Sequence, residues 1–300
     1  MNKRTFKGSS GVTLIELLIA LAISSILIAG VYRVFIYHQR TYATQEQVAD
    51  MQQNVRVAMN RMIREIRMAG FGGKNENTNG NNDLIDGFGN VNGFAHIINP
   101  ENDITEDGIT HDRITVLAAY SQIATLAADA AAGSNTISVH YIGNTKFNSS
   151  ARKYLCINGR NNYEIVPIQG NHLTLSKATT LNENHSDGEP IFLVRAIRYG
   201  LRVDHRGVPV LFRDLYPNTG SSRRESVAEY IEDLQICYML ANDPNSCASV
   251  VGDPAQIRGI RIAITARTKS SDPQLKEGGG SRRRTIHTYI DLRNLRDDSP

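Results

Sequence analysis

Glu16 is the residue of this chain whose chemistry most needs explaining. It stands in Gly11-Val12-Thr13-Leu14-Ile15-Glu16-Leu17, and it is the one charged residue among the 21 from Val12 to Tyr32. At about 1.5 Å per residue, a helix of that length spans roughly 31 Å, the thickness of a bilayer's hydrocarbon core. Holding a carboxylate near the membrane centre costs at least roughly 2.5 kcal/mol, so an acid in such a run usually has a partner and a role. The plainer reading is a helix-end glutamate that snorkels to the headgroups, since Glu16 lies within roughly 6 Å of axial rise from Val12.

The other reactive groups are sparse. Cys156, Cys237 and Cys247 allow three pairings. Cys237 with Cys247 is the pairing expected here, because it closes a short turn-rich segment across Asn242-Asp243-Pro244-Asn245. Closing about ten residues stabilises by on the order of 3 kcal/mol in the chain-entropy picture. Cys156 is then left unpaired and buried on a strand. Zinc is not expected, because Cys-x-x-Cys is absent and the 8 histidines are scattered. Asp83, Asp86, Asp103, Glu106 and Asp107 could offer oxygen ligands to calcium, but without EF-hand spacing they read as solvated acids in turns.

No His-Glu-x-x-His, Gly-x-Ser-x-Gly or P-loop occurs, and Gly87-Phe88-Gly89 lacks the strand-to-helix context of a dinucleotide site. The chain is therefore expected not to be an enzyme and to need no cofactor. Net charge is only +3, and Arg223-Arg224 and Arg282-Arg283-Arg284 sit by Gly/Ser-rich stretches as solvated loop charge, so no nucleic acid is expected as a partner.

These residues need elements to place them. Met1 to Gly11 is a basic leader with Lys3, Arg4, Lys7 and no acid, which holds this end in the cytoplasm. An ordinary secretory signal, cut near Ala29-Gly30, would have a core of about 7 to 15 apolar residues without an acid; this run is longer and carries Glu16. Past Arg33 the pattern turns amphipathic. Val48, Met51, Val55, Ala58, Met62, Ile66 and Ala69 recur at steps of three or four, and no proline precedes Pro100. One helix from Thr13 to Met68, about 84 Å long, is predicted, ending at the glycines of Ala69-Gly70-Phe71-Gly72-Gly73.

Residues 71–111 are rich in asparagine and glycine and read as a long exposed loop. After them the period switches to two. Ile114/Val116, Ile137/Val139/Tyr141, Ile260/Ile262/Ile264 and Ile286/Ile290/Leu292 alternate as half-buried strands do. Shorter runs at 154–157, 164–168, 173–175, 191–199, 210–213 and 234–240 fill the middle, with Ser226 to Glu232 read as one helical turn. With no helical pattern between successive strands, an antiparallel sheet assembly over 112–300 is expected.

Gly11-Val12-Thr13-Leu14-Ile15-Glu16-Leu17 resembles the class III signal of type IV prepilins and of the pseudopilins of type II secretion. The resemblance implies a prepilin peptidase that cuts after Gly11 and methylates Val12 as the new N-terminus. Glu16 matches the family's fifth-position glutamate, although many members carry phenylalanine where Val12 stands. Cleavage creates an ammonium four residues from Glu16, and in a filament the cation of one subunit can meet the carboxylate of another, which discriminates against wrong register.

Arg61-Met62-Ile63-Arg64-Glu65-Ile66-Arg67-Met68-Ala69-Gly70-Phe71, Tyr230 to Tyr238 and Leu292-Arg293-Asn294 are similar to PilW-type minor pilins, more weakly than the leader. The implied fold is α+β and type IV pilin-like: leader 1–11, transmembrane half-helix 12–32, amphipathic half 33–70, loop 71–111 and a β-rich periplasmic or extracellular domain 112–300. The implied function is a minor pilin that helps initiate or cap pilus assembly, supporting adhesion, twitching motility or DNA uptake. It would start in the inner membrane, in contact with lipid. Its partners would be the prepilin peptidase, other minor and major pilins, an inner-membrane assembly platform and an adhesin-like tip protein. The alternatives are a J-type minor pseudopilin of a type II secretion system and, from another class, a membrane-tethered periplasmic enzyme or ligand-binding domain.

Overall fold

A computed structural model describes residues 12–72, 91–148, 150–159, 161–167, 170–176, 180–272, 275 and 280–295. The chain divides into two units, Met1–Asp50 and Met51–Pro300. One helix, α1 (Leu14–Arg67, 54 residues), runs through both, within a residue at each end of the predicted span.

In the N-terminal unit α1 is bare. Leu14 is 80% exposed, Ile26 72% and Val31 70%. In the second unit the same helix buries Met51, Val55, Ala58, Met59, Met62 and Ile66. These fall at helical spacing on one face, and burying a side chain the size of Met62 or Ile66 stabilises by about 1.5–3 kcal/mol. Gly70 ends the helix at φ +80, a conformation that an L side chain resists.

Among the described residues thirteen strands follow, all paired antiparallel. The larger sheet holds nine of them: β1 (Ile98–Glu106), β2 (Ile109–Leu126), β3 (Thr136–Tyr141), β4 (Tyr154–Ile157), β5 (Asn161–Pro167), β6 (His172–Leu175), β7 (Pro190–Val203), β8 (Pro209–Leu215) and β9 (Arg223–Glu229). The smaller sheet runs β11-β10-β12-β13, with β10 at Ile231–Leu240, β11 at Asp243–Ala248, β12 at Ile257–Arg267 and β13 at Arg283–Asp291.

Part of the larger sheet closes on itself. β2 pairs with β3, β3 with β6, β6 with β5, β5 with β4, β4 with β7, and β7 again with β2. This ring of six strands encloses its own apolar core of Ile123, Leu126, Val139, Leu155, Ile165, Leu173, Ile191 and Leu193, among others. Closure gives β3 to β6 neighbours on both sides, which removes the exposed edges that short strands would otherwise present. In β12 the alternation is plain: Ile260, Ile262, Ile264 and Ala266 are buried while Arg261 points to solvent.

Two expectations fail. The segment 71–111, read as a loop, contains β1 and the start of β2; residues 73–90 lie outside the described residues. β1 reads Ile-Asn-Pro-Glu-Asn-Asp-Ile-Thr-Glu, an edge strand too polar to show an apolar alternation, and it bulges between Glu101 and Ile104. Ser226 to Glu232 forms no helical turn. Ser226–Glu229 belongs to β9, Tyr230 breaks the strand at φ +60, and Ile231 and Glu232 open β10. Pairing with β8 overrides the weak local preference of Ala228 and Glu229 for helix.

Candidate functional site

The first turn of α1 has a built geometry. The Glu16 carboxylate accepts from the Thr13 backbone N–H at 3.0 Å and from the Thr13 hydroxyl at 3.1 Å. In return the Thr13 hydroxyl oxygen accepts from the Glu16 N–H at 3.4 Å. This Thr-x-x-Glu reciprocity is a capping box, which satisfies donors that a helix start leaves without intrahelical partners. In apolar surroundings those donors would otherwise carry a desolvation penalty. Glu16 therefore has an intrachain partner in the uncut chain, in addition to any ammonium that cleavage supplies. The signal was legible in Thr13-Leu14-Ile15-Glu16, and the sequence reading passed over it.

Val12 precedes the helix and is 73% exposed, so the peptide bond N-terminal to it adjoins the capped turn. Gly11 and the rest of the leader lie outside the described residues. Beyond the cap, the most apolar 18-residue window of α1 has mean hydropathy 2.5, and none of it is buried. By length and composition the helix can cross a membrane. Its polar side chains fold back on it: Ser25 donates to the Ala22 carbonyl at 2.8 Å, Thr41 to Tyr37 at 3.0 Å and Thr44 to Arg40 at 2.9 Å.

In the β-rich unit the far end of α1 is locked by charge. Arg213 on β8 forks onto Glu65, with Nε at 2.8 Å and Nη2 at 2.7 Å from its two oxygens. The Tyr199 hydroxyl on β7 donates to the same carboxylate, and Arg61 meets Glu225 on β9 at 3.3 Å. Burial would lower the Arg213 pKa, but the hydrogen bonds and charge of Glu65 outweigh it and hold the guanidinium above its ordinary value. Next to this pair, burial and the Glu65 charge push the Tyr199 hydroxyl well above the usual phenol range.

The helix terminus is also tied down. Gly70 N–H donates to the Leu117 carbonyl at 3.0 Å, and Ala119 N–H to the Phe71 carbonyl at 3.0 Å. Asn294, in the 3-10 turn Arg293–Leu295, donates to the carbonyls of Ala69 at 3.2 Å and Arg67 at 3.4 Å. The motif ends Met68-Ala69-Gly70-Phe71 and Leu292-Arg293-Asn294, noted separately in the sequence, thus meet in space.

Cys237 and Cys247 form a disulfide with Cα atoms 5.3 Å apart, tying β11 to β10. Cys156 on β4 is buried, which pushes its thiol up to about 12. Of the acids weighed for calcium, Asp103 accepts from the Asn102 side-chain amide at 2.8 Å, Glu106 pairs with Arg113 and Arg224, and Asp107 accepts from Val203 N–H; Asp83 and Asp86 lie outside the described residues. Among the described residues no cluster of His, Cys, Asp and Glu could hold a metal. Arg223, Arg224, Arg283 and Arg284 lie on strands rather than in loops, Arg282 stands just before β13, and most of these arginines are ion-paired: Arg223 with Glu225, Arg224 with Glu106, Arg282 with Asp272 and Arg283 with Glu232.

No curated protein and no solved structure matches the chain. Residues 6–32 match the family described as the prokaryotic N-terminal methylation motif. That stretch takes in the Gly11–Val12 bond, the Thr13–Glu16 cap and the bare apolar helix as far as Tyr32, and it supports a type IV prepilin-like protein.

Proposed function

We propose that this chain is a minor pilin of the PilW type, a non-enzymatic filament subunit that helps initiate or cap a type IV pilus. The observation that carries the reading is the methylation motif over residues 6–32, placed on an apolar helix with no cover of its own and followed by a large β-rich unit. In this account the protein waits in the inner membrane with its leader in the cytoplasm and its β-rich unit in the periplasm, as Lys3, Arg4 and Lys7 favour. The Cys237–Cys247 disulfide suits that oxidising compartment. A prepilin peptidase removes Met1–Gly11 and methylates Val12, and the assembly platform passes the subunit to other minor and major pilins and to an adhesin-like tip protein. Adhesion, twitching motility or DNA uptake are the outputs such a filament supports.

Cleavage changes what Glu16 faces. Its carboxylate already sits in the first turn beside Val12, so the new ammonium appears within the capped turn or, in a filament, from a neighbouring subunit. The replacement Glu16→Ala tests this: the variant is expected to insert and be processed normally, yet to be depleted from sheared filaments. Incorporation at the wild-type level would remove the role given to Glu16, and co-purification with secretion pseudopilins in place of pilins would assign the chain to a type II machine.

A further inference from the structure

Among the described strands the fold protects most edges and leaves one intact. Ring closure removes the edges of β3 to β6. Of the four terminal strands, β1 is bulged at Glu101/Ile104, β9 is itself bulged at Val227 between the pairs Leu211↔Ala228 and Phe212↔Ser226, and β11 is irregular, carries Pro244 and is stapled by Cys237–Cys247. β13 has none of these devices. It runs in unbroken register along β12 from Gly259↔Asp291 to Arg267↔Arg283, and among the described strands β12 is its one neighbour. Its centre, Thr285-Ile286-His287-Thr288-Tyr289-Ile290, is β-branched or aromatic at five of six positions and holds no acid, lysine, arginine, proline or glycine. Tyr289 is 52% exposed. A regular, uncharged edge of this composition is what proteins ordinarily blunt, because it templates pairing with another strand.

The charges at its two ends identify a strand that would fit. β13 begins Arg283-Arg284 and ends Asp291. Laid antiparallel against its own copy about His287, Arg283 falls opposite the partner's Asp291, Thr285 opposite the partner's Tyr289 and Ile286 opposite the partner's Thr288. Opposite-charge and β-branched–aromatic pairs are favourable when directly opposed across two strands. A shift by one residue would put side chains on opposite faces. A shift by two in one direction sets Arg283 against the partner's Arg293, and in the other it loses the Arg283–Asp291 pair. Within its own chain Arg283 also pairs with Glu232 on β10.

We propose that two copies of this chain join edge to edge through β13, antiparallel about His287, so that the two smaller sheets become one continuous sheet. The interface is a closed, two-fold contact and self-limiting. One strand pair is a small interface, and it gains from two chains being held at high effective concentration in one membrane. The pairing does not depend on the pilus reading, and its test has a separate readout.

Directly opposed residues of antiparallel strands have Cα atoms about 4.5–5.5 Å apart, within disulfide range. The full-length chain carrying His287→Cys, oxidised in native membranes, should convert to a disulfide-linked species of twice the chain mass on a non-reducing gel. Thr285→Cys should not, because the two copies of that residue lie about 14 Å apart along the strand in this register. Thr285→Cys combined with Tyr289→Cys should restore the dimer. Wild type is the blank, since Cys156 is buried and the other two cysteines are already bonded. Equal cross-linking of the two single variants, a monomer from His287→Cys, or a cross-link to a protein of another mass would each overturn the proposal.

Discussion

The two halves of α1 have the same backbone and opposite surroundings. Leu14 to Asp50 shows solvent most of its leucines, isoleucines and valines, and Glu16, Ser25, Thr41 and Thr44 make their side-chain hydrogen bonds to the helix itself, the Thr13–Glu16 cap included. Met51 to Arg67 buries its apolar face and sends Glu65 to Arg213 and Tyr199. The second half is completed by its own chain. The first must be completed from outside, by lipid or by other helices, because so large an exposed apolar surface marks an interaction site. Two glutamates mark the contrast: Glu65 has its cation in the fold, while Glu16 is held by the Thr13 cap and, in the proposed function, pairs with an ammonium that cleavage creates.

That contrast can be broken from the β-rich side. Glu65→Ala removes the closer of Arg213's two carboxylates in a largely buried place and leaves only Glu225, 3.4 Å from Nη1, so the expected loss of stability is toward the lower end of roughly 3–5 kcal/mol. The urea dependence of Cys156 labelling reports on this unit alone, since the other two cysteines are bonded; the midpoint should fall sharply, and less for Glu65→Gln. Gly72→Ala attacks the helix terminus. A Cβ there would lie 2.8 Å from the Ala119 Cβ and 3.0 Å from Cys156 Sγ, at φ +81. A loss of about 1–3 kcal/mol in the same assay follows. The smallest effect belongs to the other half. Thr13→Ala removes the cap, worth about 1 kcal/mol, and should speed amide exchange in the first turn of α1 about fivefold while leaving Cys156 labelling unchanged.

What the sequence disclosed follows the range of the interactions involved. Helix α1 was legible to within a residue at each end because an unbroken apolar run passes into a stripe of helical period with no proline across its 54 residues and glycines at its end. The strand at 154–157 and the alternation of β12 were legible because one face of each is wholly apolar. β1, β9 and β11 were not, since edge strands with Arg, Glu, Asn and Pro carry no such alternation. The six-strand ring and the Glu65–Arg213 fork were out of reach for a different reason. They join residues far apart in the chain, and nothing local in Arg213 distinguishes it from a solvated arginine. At the N-terminus the resemblance supplied Gly11, Val12 and Glu16, while Thr13, whose role is purely local, was there to be read from its spacing to Glu16.

The account turns on one covalent event, cleavage that frees Val12 beside Glu16. Mass spectrometry of the mature N-terminus of the chain isolated from cells measures it directly. The prediction is a chain beginning at N-methylated Val12. A retained Met1, or a new terminus beyond the apolar run near Ala29 and Gly30, would contradict it.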